Sequence, residues 1–535
     1  MPQTAQINFK LTDNTYSNQP IALGLYGIMG EFPMGPVAEV SDVITSYNTF
    51  KKIYGDVNEK YPEVFQAKKA LEGGASLRVY NIGVKKGEEA GTQPFKNVVG
   101  TGETAQNFFA LQAKYDGTAY NNLKATVSNS ASGRSGYFDI TITLTDDNDI
   151  VIDQEVYTNL HIPTYDDIHY LDTIENNSKL VKPYYYPVTT STTSLSIAEE
   201  TKTFSGALQV NGKGAYNTSA AVLSAFKDAV DAFADYNDIW GLCYPTLKPG
   251  SVDYTIEGGT PGTVTLDTTS VLLNLISKVN ERKDIRGMIW VGDGQKGDMI
   301  TNRELLGDSE WIDLFGGDAI FYDPLNSGAK IATSPMGAII GVFGASDAGS
   351  YPWYSAAGVN RGKVKSALGV TYNYGVPSKF DDLNELAQNQ INLLVQDNVY
   401  GVYLSGNFTG QFTETMKSFT SIMKLYIYIK RTLRSKLLPF IEEPLDLILV
   451  RKIADTVEKE MRDLNSTTKR ALQQPIGYKW NGDQEANTVG ELVVNDPIDF
   501  QNGKFKGILQ IQPVNSLQVM DIEVALTNAD VDLSI

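Results

Sequence analysis

Cysteine and histidine are almost absent from this sequence of 535 residues. Cys243 is the single cysteine, and His161 and His169 are the two histidines. An intrachain disulfide is therefore impossible, and a zinc site with four cysteine or histidine ligands cannot be assembled. Histidine-based catalysis is nearly excluded, and the sequence has no Walker A, H-E-x-x-H, G-x-S-x-G or paired-cysteine motif. We expect no catalytic residues, no metal site and no cofactor.

Basic residues and long apolar runs are also scarce. Lysine and arginine number 45 against 63 aspartates and glutamates, a formal net charge of −18, so phosphate backbones would be repelled. The longest weakly polar run, residues 331–345, is shorter than the roughly 20 residues of a membrane-spanning helix. The first ten residues, MPQTAQINFK, lack the basic and apolar regions of a signal peptide. We therefore expect no nucleic-acid binding, no membrane insertion and no export.

The patterning predicts a multidomain α+β (mixed α/β) protein. Strand and helix signals alternate over residues 21–92 and 188–380, which predicts a discontinuous α/β core domain. Residues 93–187 show mainly β-type runs, so we predict that a mostly-β domain is inserted there, on the outside of any assembly. Helices followed by late strands predict a C-terminal α+β domain over 381–513.

Three elements of the core domain are predicted in detail. Gly73-Gly74 predicts the end of a helix, because glycine favours the position after the last helical turn. The segment 300–315, ITNRELLGDSEWIDLF, is interpreted as one helix, and the segment 337–345, GAIIGVFGA, is interpreted as a strand.

Both ends of the chain have the alternating pattern of short strands. Residues 1–20 and 514–535 are predicted to be extended arms, with apolar residues at every second position: Ile7, Phe9, Leu11, Ile522, Val524 and Leu526. An isolated strand is unstable in water, so each arm needs a sheet edge from its own chain or from a neighbouring one. The pattern alone leaves both possibilities open.

Residues 292–297 read G-D-G-Q-K-G, a literal G-x-G-x-x-G between a predicted strand and a predicted helix. Such a loop can bring backbone N–H groups to a pyrophosphate, so a dinucleotide-binding enzyme using Gly292, Gly294 and Gly297 is one hypothesis. Asp293 lies inside the loop, where its charge would oppose the phosphates. An ordinary glycine-rich turn is the favoured interpretation.

A predicted helix over residues 414–437 differs in charge from the rest of the chain. Residues 415–441 contain basic side chains and no acidic one. Five of the basic residues fall within an arc of about 140° on a helical wheel: Lys417, Lys424, Lys430, Arg431 and Arg434. A solvated face would normally mix both signs, so we predict that this basic stripe contacts an acidic partner.

Residues 351–362, YPWYSAAGVNRG, resemble the W-[FY]-S-P-A-G-x-N-R-G stretch of contractile-phage tail sheath proteins. Ala356 stands where that family usually has proline, and the matching residues are Trp353, Ser355, Ala357, Gly358, Asn360, Arg361 and Gly362. The early segment with Gly35-Pro36 and the later KLYIYIKRTL, PFIEEPL and GILQIQPV are similar to further family stretches in the same order. The resemblance covers residues 21–82 and about 330–535.

The resemblance implies a non-enzymatic structural protein. Sheath subunits of this family stack as hexameric rings around an inner tail tube and contract to drive the tube through the host cell envelope. For this chain it implies self-assembly, contacts with the tube, baseplate and tail terminator proteins, and a place in the virion after assembly in the host bacterial cytoplasm. The basic stripe would face the tube, and the arms would join neighbouring subunits. The sheath of a phage-like contractile injection system is an alternative.

Overall fold

The computed structural model describes residues 22–83, 92–98, 106–115, 118–134, 137–146, 148–161, 172–185, 196–197, 200–204, 218–255, 263–481 and 503–516. These residues divide into two units. The core unit contains the described residues of 22–352 and 356–432, and the C-terminal unit contains 353–355 and the described residues of 433–516.

The described residues form the following α-helices: α1 (Tyr47–Tyr54), α2 (Pro62–Gly73), α3 (Asp172–Asn177), α4 (Ser219–Asp231), α5 (Thr268–Arg282), α6 (Lys296–Leu305), α7 (Met336–Gly349), α8 (Phe380–Gln388), α9 (Thr420–Leu437) and α10 (Leu447–Leu464). Helices α1, α4, α5 and α10 begin after a serine, threonine or aspartate whose side chain accepts a hydrogen bond from the first turn. Helix α2 ends as predicted, because Gly74 has φ +105° and its N–H donates to the carbonyl of Ala70.

A seven-stranded sheet lies at the centre of the core unit. In spatial order its strands are β2 (Ser76–Asn81), β1 (Leu25–Gly30), β11 (Gly241–Cys243), β14 (Arg286–Trp290), β15 (Ile312–Gly316), β19 (Ile391–Asp397) and β20 (Gly401–Ser405). The first six strands are parallel, and β20 is antiparallel to β19. Every residue of β1, β11, β14 and β15 is buried, as expected for parallel strands that are covered on both faces.

Two of the detailed element predictions were wrong. The segment 300–315 is not one helix, because α6 ends at Leu305 and Gly307 (φ +74°) turns the chain toward β15. The segment 337–345 is helical rather than a strand, since it lies within α7. Its glycines are spaced three or four residues apart, so in a helix they lie on one face and allow close contact with α2.

The predicted domain limits also differ from the strand pairing. The predicted C-terminal domain began at residue 381, but β19 and β20 complete the central sheet, and the C-terminal unit includes the chain from residue 433. The predicted β domain ended at residue 187, yet strands from residues 196–203 pair with it. We call the region from residue 92 to residue 204 the β segment.

The β segment forms two antiparallel four-stranded sheets. One consists of β10 (Glu200–Thr203), β5 (Leu123–Asn129), β6 (Tyr137–Thr145) and β7 (Val151–His161); the other consists of β8 (Val181–Tyr185), β4 (Gln106–Ala113), β3 (Thr92–Val98) and β9 (Ser196–Ile197). Their inner residues, among them Phe109, Phe138 and Ile142, form a hydrophobic cluster separate from that of the central sheet. The β segment therefore has its own core.

Smaller sheets complete the described structure. The core unit also contains β17 (Lys330–Thr333), β16 (Ala319–Tyr322) and β18 (Gly369–Val370) in one sheet and β12 (Ser251–Thr255) with β13 (Thr263–Asp267) in another; the C-terminal unit contains β21 (Tyr478–Asn481) and β22 (Ile508–Ile511). None of the helices within the described ranges has the length and apolar character needed to span a membrane.

Candidate functional site

Lys424, one residue of the predicted basic stripe, is buried on α9. Its side chain is 3% exposed, and its ammonium group pairs with the carboxylate of Asp347 on α7. The Tyr26 hydroxyl donates to the other oxygen of this carboxylate at 2.7 Å. The rings of Phe343 and Trp240 lie 4.9 and 5.7 Å from the ammonium nitrogen. Burial lowers the pKa of Lys424 and raises that of Asp347.

Lys430 and Arg431 also have their partners inside the core unit. Lys430 Nζ donates to the backbone carbonyl of Lys283 at 2.9 Å. Arg431 Nη2 donates to the carbonyl of Asp284 at 2.7 Å and also to that of Ile239. The guanidinium carbon lies 4.9 Å from the Trp240 ring centroid, and burial lowers the pKa of Arg431 to about 10.

The structure corrects the prediction of a basic stripe that contacts a partner. Lys424, Lys430 and Arg431 are turned into the core unit, where a carboxylate and backbone carbonyls accept their hydrogen bonds. Lys417 precedes α9, is 61% exposed and pairs with Glu310 at 3.3 Å. Arg434 is half-buried. The five residues therefore do not form one exposed surface.

Sequence reasoning missed the two buried carboxylates that accept hydrogen bonds from side chains of α9. Asp347 lies on α7, and Asp313 on β15 accepts hydrogen bonds from Thr420 of α9 and from Arg286. Asp347 follows a strongly apolar stretch, residues 336–345, whereas Asp313 follows the polar residues 307–310 and gives no such signal. An isolated acid beside such a stretch is a signal for a buried partner of opposite charge.

Residues 356–362 of the signature segment form a turn against the edge strand β20. Gly358 has φ +82°, its N–H donates to the carbonyl of Leu404, and the N–H of Leu404 donates to the carbonyl of Gly362, both at 2.8 Å. A Cβ on Gly362 would lie 2.8 Å from the carbonyl oxygen of Gly358, so glycine is required there. These contacts give both signature glycines a structural role.

The other signature residues fall into three environments. Trp353 is buried in the C-terminal unit, and its indole N–H donates to the carbonyl of Lys469 at 2.9 Å. Ser355 is also buried, Ala357 is half-buried, and Asn360 and Arg361 are exposed. The segment is therefore mainly a folding motif that leaves Asn360 and Arg361 at the surface.

The loop at Gly292, Gly294 and Gly297 does not fit a dinucleotide. Gly292 and Gly294 have φ +136° and +114°, and the Tyr374 hydroxyl donates to the carbonyl of Gly294 at 2.6 Å. A Cβ on Gly294 would lie 2.6 Å from the Tyr372 ring, so aromatic side chains cover the loop. Burial and the charge of Asp293 raise the pKa of the nearby Asp318 to about 6. A pyrophosphate would meet tyrosines and carboxylates there.

The C-terminal unit contains a small two-stranded sheet. Strands β21 and β22 pair only with each other among the described residues. Ile476, before β21, is 70% exposed, and Ile508 and Val514 are 41% and 39% exposed. The predicted arm residues lie outside the described residues: Ile7, Phe9, Leu11, Ile522, Val524 and Leu526. Among the described residues, no further strand pairs with the outer edge of β21 or of β22.

Solved structures share this fold. A sheath tail protein from Listeria innocua has a TM-score of 0.57 at 14% identity and covers 88% of this chain and 90% of its own. A sheath tail protein from Desulfitobacterium hafniense has a TM-score of 0.52 at 11% identity, with 88% and 93% covered. The helical sheath of the anti-feeding prophage in its contracted state has a TM-score of 0.53 at 11% identity, with 98% and 100% covered. This chain has the fold of a contractile tail sheath protein.

The sheath fold agrees with the mixed α/β, multidomain class predicted from the sequence, and with the family that residues 351–362 resemble. No protein-family model and no curated protein sequence matches the chain. The relationship is therefore seen in the fold and in short motifs rather than in overall sequence identity.

Proposed function

We propose that this chain is the structural subunit of a contractile tail sheath. It polymerises as stacked hexameric rings in a helical array around an inner tube, and the array contracts to drive the tube through a cell envelope. The observation that carries the proposal is the sheath fold over 88% to 98% of the chain. The solved neighbours are sheath proteins, so the proposal includes no catalytic step.

The small sheet of the C-terminal unit supports a mechanism of assembly. A two-stranded sheet is marginally stable in water and gains from additional strands. The alternating apolar residues of the arms have the pattern of strands that add to such an edge. A contact between unlike surfaces of successive copies does not have to close, and it then produces a helical array. We therefore assign the arms to neighbouring subunits.

Further partners belong to the same proposal. The chain associates with an inner tube protein, with a baseplate and with a tail terminator protein, in a phage virion or in a phage-like contractile injection particle. Lys417, which is 61% exposed, and the half-buried Arg434 are the members of the basic stripe that remain candidates for the tube contact. Lys424 and Lys430 are not assigned to it, because they are buried, and the half-buried Arg431 is not assigned to it, because its guanidinium is turned into the core unit.

Truncation tests the proposal. Electron microscopy of the full chain is expected to show tubes or rings with sixfold symmetry. Deletion of residues 1–15 or 519–535 is expected to leave a folded protein that does not polymerise, whereas Ile150→Asp in the β segment, at a 60% exposed position, serves as a control that still polymerises. Normal tubes from both truncated chains would show that the arms are intramolecular. A full chain that forms no ordered polymer would argue against the sheath function itself.

A further inference from the structure

Four polar side chains of α9, at residues 420, 424, 430 and 431, donate hydrogen bonds to acceptors elsewhere in the core unit. We call them the anchor residues. Thr420 donates to Asp313 of β15, Lys424 pairs with Asp347 of α7, Lys430 donates to the carbonyl of Lys283 after α5, and Arg431 donates to the carbonyls of Ile239 and Asp284, which precede β11 and β14. The anchor residues therefore connect one helix to a large part of the core unit.

Beyond the anchor residues, Asn407 holds the start of α9 by exchanging hydrogen bonds with Ser421, and most of the remaining buried surface of the helix is apolar. Its buried apolar side chains in the core unit are mostly aliphatic: Ile422, Met423, Leu425, Ile427 and Ile429. Burial of apolar groups is not directional, so these side chains restrict the position of the helix through packing alone and less strictly than hydrogen bonds do. A shift by one residue moves a helix by about 1.5 Å and turns it by about 100°. Such a shift would separate each anchor residue from its acceptor and leave buried polar groups unpaired.

We propose that the anchor residues fix the axial and rotational register of α9 on the core unit. The Lys424–Asp347 pair is the strictest member, because the Asp347 side chain is 0% exposed and also accepts a hydrogen bond from Tyr26 at 2.7 Å. A buried ion pair contributes little net stability compared with well-packed apolar residues of similar size, whereas buried polar groups can specify helix register. We therefore assign to the Lys424–Asp347 pair the role of fixing the position of α9 rather than of adding net stability.

The register has a consequence that rests on the proposed function. Every copy of a subunit in a helical array must present the same geometry, and a helix held in one register makes the copies equivalent. The register itself is a property of the single chain. Measuring it in the unassembled protein therefore separates a failure of this inference from a failure of the sheath proposal.

The test replaces the ion pair by apolar residues in the full chain. The double variant Lys424→Met/Asp347→Leu removes both charges, and it is combined with Tyr26→Phe so that the hydroxyl that donates to Asp347 is not left buried without an acceptor. Spin labels on Tyr426→Cys of α9 and Leu273→Cys of α5, which are 46% and 42% exposed, report the distance between α9 and the core unit. The native Cys243 is buried and stays unlabelled in the folded protein. The control is Lys417→Met, which removes an exposed charge that is not an anchor.

The labelled wild type and the Lys417→Met control are expected to give one narrow distance distribution. The combined variant is expected to melt cooperatively close to the wild-type temperature but to give a broadened or second distribution. Hydrogen-exchange protection of α9 should also fall on the order of tenfold in that variant. A narrow, unchanged distribution with unchanged protection would overturn the proposal. An unfolded combined variant would also overturn it, because the pair would then act through stability rather than register.

Discussion

Gly341 of α7 lies directly against Gly73 of α2, and a Cβ built on Gly341 would be 2.7 Å from the Cα of Gly73. Gly337, one turn earlier, faces the same helix, and its Cβ would lie 2.1 Å from the carbonyl oxygen of Gln66. Neither contact can be relieved by a side-chain rotation, because the obstructing atoms belong to the backbone. The approach of α2 and α7 therefore depends on glycine at both positions.

We expect Gly341→Ala to lower the free energy of unfolding by about 1–3 kcal/mol, the usual cost of overpacking a core. The matched control is Gly349→Ala in the last turn of the same helix, where an added Cβ meets nothing within 4 Å. That change should be neutral or stabilising by up to about 1 kcal/mol, since alanine favours a helix. Urea denaturation measures both variants. Equal stability of the two would contradict the close backbone contact.

The alternation of strands and helices in the core unit could be predicted from the sequence, because each parallel strand is an apolar run next to an amphipathic helix. The assignment of 337–345 could not. A helix that is buried on nearly all sides shows no polar face, so its residues lack the 3.6-residue pattern. The four-residue spacing of Gly337 and Gly341 is a sequence signal for the helix. It can be interpreted only when α2 is known to pack against these glycines.

The basic stripe shows a second limit of sequence reasoning. The helical position of Lys424 and Arg431 on one side of α9 was predictable from their spacing, but the environment of that side was not. The acceptors are Asp347 and the carbonyls of Ile239 and Asp284, which are far away in the sequence. The folding of the central sheet brings them together, and no local pattern in α9 contains that information.

The tyrosine that closes the Gly292 loop provides a test of the structural interpretation of this loop. Tyr374→Phe removes only the hydroxyl that donates to the Gly294 carbonyl. We expect a loss of about 1–3 kcal/mol in the free energy of unfolding, because the hydrogen bond is lost and the buried carbonyl of Gly294 is left without this donor. Tyr322→Phe is the control, since that residue is 62% exposed and should change stability by less than about 0.5 kcal/mol. If the two variants were equally stable, the loop would not depend on this bond.

Asp318 predicts a pH dependence of stability. Its pKa in the folded protein is raised to about 6 from the ordinary aspartate value of 3.8, so the folded state binds more protons between these values than the unfolded state does. The stabilising effect of this proton is present below about pH 4 and is lost as the pH rises through about 6. We expect Asp318→Asn to become more stable, relative to the wild type, as the pH is raised from 4 to 7.

Asp323 is the control of opposite sign. It accepts hydrogen bonds from the N–H of Leu325 and from the side chain of Asn326, and these bonds lower its pKa. Its contribution is therefore present above about pH 4 and is lost as the pH falls further. Asp323→Asn should be most destabilising at neutral pH. Melting temperatures measured from pH 3 to 7 would contradict the assignment if both variants followed the wild-type profile.

The β segment is predicted to be dispensable for folding and for self-assembly, because it has a hydrophobic cluster of its own. Replacing residues 92–204 with a short Gly-Ser linker should leave a core unit that unfolds cooperatively. The main expected cost is the exposure of Met34, which is 0% exposed and belongs to that cluster, and it should be about 1.5–3 kcal/mol.

The same linker in place of residues 251–267 is the control. It removes Leu266 and Val264 from the core of the central sheet and should prevent folding. Electron microscopy of the chain without the β segment is expected to show polymers with a smaller outer diameter than those of the full chain. A folded protein without polymers would mean that the β segment contributes to the contacts between subunits.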